Sequence, residues 1–116
     1  MEITLQEQDG LQIMTIGGRL DASTAPQMQS RFESALTPEK CRFILDLQKV
    51  DFVSSGGLRV LLVMTKKVTA QGGGIVLSQL HPFVEDLLMM SGFYKLIPTA
   101  ATREEAVKML SEGGTP

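Results

Sequence analysis

At 116 residues the chain has the size of one domain, and 43% apolar against 21% charged residues is close to the globular average. Its 11 Lys+Arg and 13 Asp+Glu leave a net charge of −2, too balanced for a nucleic-acid binder relying on a phosphate-neutralising face, and no run approaches the ~20 apolar residues that span a bilayer. One cysteine (Cys41) and one histidine (His81) exclude an internal disulfide and argue against a structural zinc site, no motif asks for a cofactor, and no signal peptide is visible at Met1-Glu2-Ile3-Thr4, so a cytoplasmic protein is expected.

Ile3-Thr4-Leu5-Gln6-Glu7-Gln8 alternates apolar and polar residues, as a half-buried strand does. Asp9-Gly10 is a hairpin turn signal, and Leu11 to Ile16 alternates again, with positions 11, 13 and 16 inward. Gly17-Gly18 is expected to end this second strand. Ser23 or Thr24 can cap a helix with Pro26 in its first turn; Met28, Phe32, Ala35 and Leu36 recur at helical spacing, and Thr37-Pro38 stops it. Arg42 to Leu47 suits a strand buried on both faces, followed by a loop over Gln48 to Ser54.

Ser55-Gly56-Gly57 then opens a helix reaching about Ala70, which Gly72-Gly73-Gly74 breaks before a strand over Ile75 to Ser78. Pro82 fits a first helical position, with Phe83, Leu87 and Met90 on one face and Gly92 as terminator. Leu96-Ile97 is expected to form a short last strand. Thr102 with Glu105 makes a capping box for a final helix whose apolar face is Ala106, Val107, Met109 and Leu110. The fold class is therefore α/β: a mixed sheet of four to five strands flanked by about four helices, one domain over residues 1–112 with a flexible tail at 113–116.

The stretch from Asp46 to Leu62 is the most informative. A buried strand runs out to two serines at a helix start, where free N–H groups and the positive dipole end favour a phosphate. A serine there is also an ordinary cap. Gly56 and Gly57 weaken the first turn by about 1 kcal/mol each relative to Ala, so their smallness needs a reason, either close packing or contact with a partner. Along the helix Leu58, Leu61, Leu62, Met64, Thr65 and Val68 form the core arc. Val60 and Val63 fall outside it among Arg59, Lys66 and Lys67, as a modest protein-contact surface or as single exposed valines.

Other features read as structure. Gly72-Gly73-Gly74 precedes a strand and lacks phosphate-loop geometry. Asp46 has no acidic companions for a phospho-acceptor site. Asp21 suits a turn or cap. Lys66-Lys67 suits a solvated face, and Met89-Met90 suits core or edge packing.

Gly18-Arg19-Leu20-Asp21-Ala22-Ser23-Thr24-Ala25, Phe43-Ile44-Leu45-Asp46-Leu47 and Val50-Asp51-Phe52-Val53-Ser54-Ser55-Gly56-Gly57-Leu58-Arg59-Val60-Leu61, with Gly72 to Leu77 and Val84 to Phe93 after them, resemble the STAS domain. The resemblance is to its stand-alone bacterial anti-sigma factor antagonists and covers roughly residues 3–110. It implies a mixed sheet flanked by helices and a partner switch without catalysis. The unphosphorylated protein would bind an anti-sigma factor, a serine kinase with a histidine-kinase-like ATPase fold. Serine phosphorylation would end that binding, and a PP2C-type phosphatase would restore it.

In the family pattern the phosphoserine stands two residues before the glycine that precedes the helix leucine. Gly57 and Leu58 fill those places here, so the matching serine is Ser55. The chain departs from the pattern with Ser54, where many relatives carry aspartate, and Gly56, where others carry alanine; Ser54 becomes a second candidate acceptor. The implied partner surface comprises Asp21, Ser54, Ser55, Gly56, Gly57, Arg59, Val60 and Val63. Two alternatives stand beside it. A STAS subunit of a transport or larger signalling complex would have no phospho-switch, and a hydrolase using Ser55 would have to recruit His81 as its base.

Overall fold

Asp9 and Gly10 take φ values of 53° and 82° in the computed structural model, which describes residues 1–113. Two successive positive φ values make the two-residue hairpin turn that matches strand twist. The turn joins β1 (Glu2–Gln8) to β2 (Leu11–Leu20), with Gln8 opposite Leu11. β3 (Arg42–Val53), β4 (Gly74–Ser78) and β5 (Thr99–Ala100) extend the sheet in the order β1-β2-β3-β4-β5. β1 is antiparallel to β2, and every later neighbour is parallel, because each is reached through a helical crossover.

The helices are α1 (Ala25–Ala35), α2 (Ser55–Ala70), α3 (Pro82–Ser91) and α4 (Arg103–Gly113), with a 3₁₀ turn at Phe93–Lys95. The first three cover one sheet face. Met28 and Phe32 of α1, Leu58, Leu61, Met64 and Val68 of α2, and Val84 and Leu88 of α3 pack there on Met14, Ile16, Phe43, Leu45, Leu47, Ile75 and Leu77. α4 covers the other face, where Ala106 and Leu110 close on Leu11, Ile13, Ile44 and Val76. Positions 11, 13 and 16 are thus all buried but not on one face, because both faces are covered. Gly113 ends α4, and 114–116, the rest of the expected tail, lie outside the described residues.

Five expectations are corrected. β2 does not stop at Gly17-Gly18; it runs on to Leu20, with register shifts on either side of Gly17 and Gly18 at φ 106°. Of the stretch expected as a loop, Gln48 to Ser54, all but Ser54 is strand, because it pairs with that continuation: Gly17 faces Lys49, Arg19 faces Phe52 and Leu20 faces Val53. The last strand is Thr99–Ala100 and not Leu96-Ile97; Leu96 follows the 3₁₀ turn and Ile97 is buried in the main core. Met89 and Met90 are 55% and 87% exposed, so they are not core packing. α3 carries apolar residues all round, and the face it buries is Val84 and Leu88, leaving Phe83 and Met90 outward.

Candidate functional site

The ends of β2 and β3 deliver two connections to one end of the molecule. After Leu20 the chain turns through Asp21 to Thr24 into α1, and after Val53 it passes through Ser54 into α2. The Ser54 amide donates to the Leu20 carbonyl at 2.9 Å, which ties the two connections together. Gly57 makes this approach feasible. A Cβ there would lie 2.5 Å from the Leu20 carbonyl oxygen and 2.9 Å from its Cγ. A Cβ on Gly56 would press against Ala22, 3.1 Å from its Cβ. The smallness of Gly56 and Gly57 thus serves close packing against Ala22 and Leu20.

The two serines have different surroundings. Ser54 is the N-cap, with φ −92° and ψ 174°, and its hydroxyl accepts from the Gly57 amide at 3.3 Å. Its carbonyl accepts from the Leu58 amide at 2.9 Å. Ser55 is the first helical residue; it is exposed, and its hydroxyl takes no hydrogen bond among the described residues. With the Gly57 amide satisfied by Ser54, the amides of Ser55 and Gly56 are left to face an anion. No acidic residue stands in that first turn.

Asp21 organises the neighbouring turn. Its Oδ1 accepts from the Ser23 hydroxyl at 2.7 Å, the Ser23 amide at 3.0 Å and the Thr24 amide at 3.1 Å. The Ser23 hydroxyl is the chief reason its carboxyl lies below the usual 3.8. Thr24 donates its own hydroxyl to the Arg19 carbonyl at 2.7 Å and gives the helix no side-chain cap; the Asp21 carboxylate receives the Thr24 amide instead. Through Ala22 against Gly56, the Asp21 turn and the Ser55 turn share one surface.

On α2, Arg59 is exposed one turn beyond Ser55, and Val63 is half-buried one turn further. Val60 differs from expectation: it packs partly against the main core, as Leu62 does. Gly57 is buried, so it positions the helix beneath this surface.

Two features of this end were missed in the sequence. The Arg19 guanidinium stacks over the Phe52 ring at 4.0 Å. A groove of about 420 Å³ beside it is lined by Arg19, Asp51, Phe52, His81 and Phe83. Only the pairing of β2 with the far half of β3 juxtaposes Arg19 and Phe52, and no local pattern announces that. His81 caps α3, its Nδ1 accepting from the Phe83 amide at 3.2 Å. Asp46 lies away from this site on the α4 side of the sheet. Its Oδ2 accepts from Gln79 Nε2 at 2.7 Å and Arg103 Nη2 at 3.0 Å, and its Oδ1 from the Gln48 amide at 3.0 Å.

A five-stranded sheet with an antiparallel first strand and helices on both faces is a fold shared with known proteins. The STAS domain family profile matches residues 2–106, and this chain belongs to that family. It is 33% identical over 106 residues to BtrV of Bordetella bronchiseptica, assigned as an anti-sigma factor antagonist, covering 91% of each protein. A crystal structure of an anti-sigma factor antagonist from Mycobacterium paratuberculosis superposes with a TM-score of 0.85 at 21% identity, covering 95% of this chain and 93% of that one. SpoIIAA of Bacillus in its phosphorylated form superposes with a TM-score of 0.70 at 20% identity, covering 92% and 97%. No helix among the described residues is long and apolar enough to cross a membrane.

Proposed function

We propose that this protein is a cytoplasmic anti-sigma factor antagonist, a regulatory binding protein and not an enzyme. Its partner is an anti-sigma factor serine kinase with a histidine-kinase-like ATPase fold. Phosphorylation of Ser55 ends the complex, and a PP2C-type phosphatase restores it. The carrying observation is the division between the serines: Ser54 is committed to the helix cap, whereas Ser55 stands exposed with an unengaged hydroxyl. The names of the relatives support the antagonist role, and the phosphorylated state of SpoIIAA supports the switch. Against a catalytic serine, no side chain among the described residues is hydrogen-bonded to Ser55 to act as its base.

The contact surface runs over Asp21, Ser54, Ser55, Gly56, Arg59, Val60 and Val63, with Gly57 holding the helix in place beneath it. A phosphate on Ser55 adds about −1.5 to −2 charge. The helix N-terminus accommodates that charge, so the fold survives phosphorylation. A partner packed closely over the same turn does not, because of bulk, desolvation and the partner's own acidic groups. A loss of ~3–4 kcal/mol corresponds to several hundredfold in affinity.

The test uses wild type, Ser55→Ala and Ser55→Asp as baits for affinity capture from lysate of the native organism, read by mass spectrometry. A histidine-kinase-like ATPase retained by wild type and Ser55→Ala and lost by Ser55→Asp is the expected result. Equal retention on all three baits overturns the switch, and transport subunits on all three favour a STAS subunit of a larger assembly. Phosphopeptide mapping with the captured kinase then separates the acceptors: phosphate persisting in Ser55→Ala but absent in Ser54→Ala would move the site to Ser54.

A further inference from the structure

β1 is the outer strand of the sheet, hydrogen-bonded only to β2. The turn at Asp9-Gly10 closes on Gln8 and Leu11, whose backbone groups bond across it. Because bonding alternates along an antiparallel ladder, Gln8, Gln6, Thr4 and Glu2 direct their amides and carbonyls to β2. Those of Ile3, Leu5 and Glu7 point outward along an open edge. Natural edge strands are usually blunted by charged side chains, proline, a bulge or shortness. β1 has seven residues, no proline and an unbroken register with β2, and its two charges, Glu2 and Glu7, stand near its ends. The opposite edge, β5, has only two residues.

We infer that the β1 edge is an interface for a second copy of this chain, paired antiparallel about Leu5 so that the two sheets become one. This register brings every outward-pointing backbone group into use: Leu5 pairs with Leu5 of the second copy, and Ile3 with Glu7. The side chains agree with it. Glu2 faces Gln8 of the second copy, Thr4 faces Gln6, and no carboxylate faces a carboxylate. Glu7 already has a cation of its own chain, Lys40, at 3.6 Å. Leu5, half-buried against the main core as Ile3 is, loses its remaining exposure to Leu5 of the second copy, and Ile3 lies against the aliphatic stem of the second copy's Glu7. β2 and β3 stand between this edge and the start of α2, so the Ser55 surface stays open in the dimer, and the inference holds whether or not Ser55 is a switch.

The test is cysteine crosslinking in a Cys41→Ser background under mild oxidation by diamide, read on non-reducing gels. In a hydrogen-bonded antiparallel pair the Cα atoms lie about 5.5 Å apart, within the ~4.4–6.8 Å that a disulfide spans. Leu5→Cys therefore crosslinks to itself. Ile3→Cys and Glu7→Cys each place their two thiols four residues out of register, about 13 Å apart along the strands, and crosslink at least tenfold more slowly. Sedimentation of the unmodified chain shows a monomer–dimer equilibrium with a Kd between about 1 μM and 1 mM, and Leu5→Lys, which sets two ammonium groups face to face, weakens it at least tenfold. Equal crosslinking at all three positions, none at Leu5→Cys, or a monomer at about 1 mM overturns the inference; the edge would then be bare or belong to a strand of another protein.

Discussion

Asp21 gathers the hydroxyls and amides of Ser23 and Thr24 onto one carboxylate oxygen while remaining at the surface. A carboxyl whose folded pKa is depressed contributes stability above its unfolded pKa, and that contribution is lost as pH falls through the folded value. The Asp21 turn should therefore hold at neutral pH and loosen only in acid. In an NMR titration the Ser23 and Thr24 amides should move with a midpoint below 3.8, and Asp21→Asn should abolish that titration. At this same scale the two serines were legible as a pair at a helix start, but their division of labour was not. It depends on the Ser54 amide reaching the Leu20 carbonyl, a contact 34 residues away along the chain. The glycines were legible as a demand for smallness, and only the approach of Leu20 and Ala22 says what makes the demand.

At the scale of elements, α2 is fastened at its start by a side-chain cap, and its first helical residue plays no part in that cap. Ser54→Ala should cost about 1 kcal/mol in urea-induced unfolding. Ser55→Ala should stay within about 0.5 kcal/mol of the unmodified chain. Equal losses would contradict the separate roles. α4 follows its sequence signal closely: the Glu105 amide donates to Thr102 Oγ1 at 3.1 Å. The Glu105 carboxylate reaches back to the Ala101 amide at 3.2 Å, one residue before the one an ideal capping box would engage. The elements misread were those whose state is decided by a neighbour. Gln48, Lys49 and Asp51 carry a loop's polarity, and Gly17-Gly18 carries a terminator's composition. Each becomes strand because the other offers a ladder. α3 was legible as a helix from Pro82 and Gly92, but with Phe83, Val84, Leu87, Leu88, Met89 and Met90 around its circumference no period singled out the buried side.

For the whole molecule, the sheet is a partition with three helices on one side and one on the other. The single helix is fixed to it by a buried carboxylate: Asp46 is 3% exposed and held by Arg103 of α4 and by Gln79 beyond β4. Arg103→Ala leaves that carboxylate with Gln79 and the Gln48 amide alone, and should cost about 1–3 kcal/mol in thermal or urea unfolding. The alternation of strands and helices revealed the layered architecture, yet nothing local could reveal that Asp46 and Arg103, 57 residues apart, would meet.

The lone helix is also the last of these four helices to be synthesised. Leu11, Ile13, Ile44 and Val76 have all been made by the time β4 is complete, while Ala106 and Leu110, which cover them, have not. At ~5–20 residues per second the ribosome needs roughly 1–4 s to travel from Ser91, the end of α3, to Leu110. During that interval a nascent chain could already have assembled the three-helix side while its other sheet face lies bare to water. That face is where a cotranslational chaperone would find its hold, and the arrival of α4 would release it.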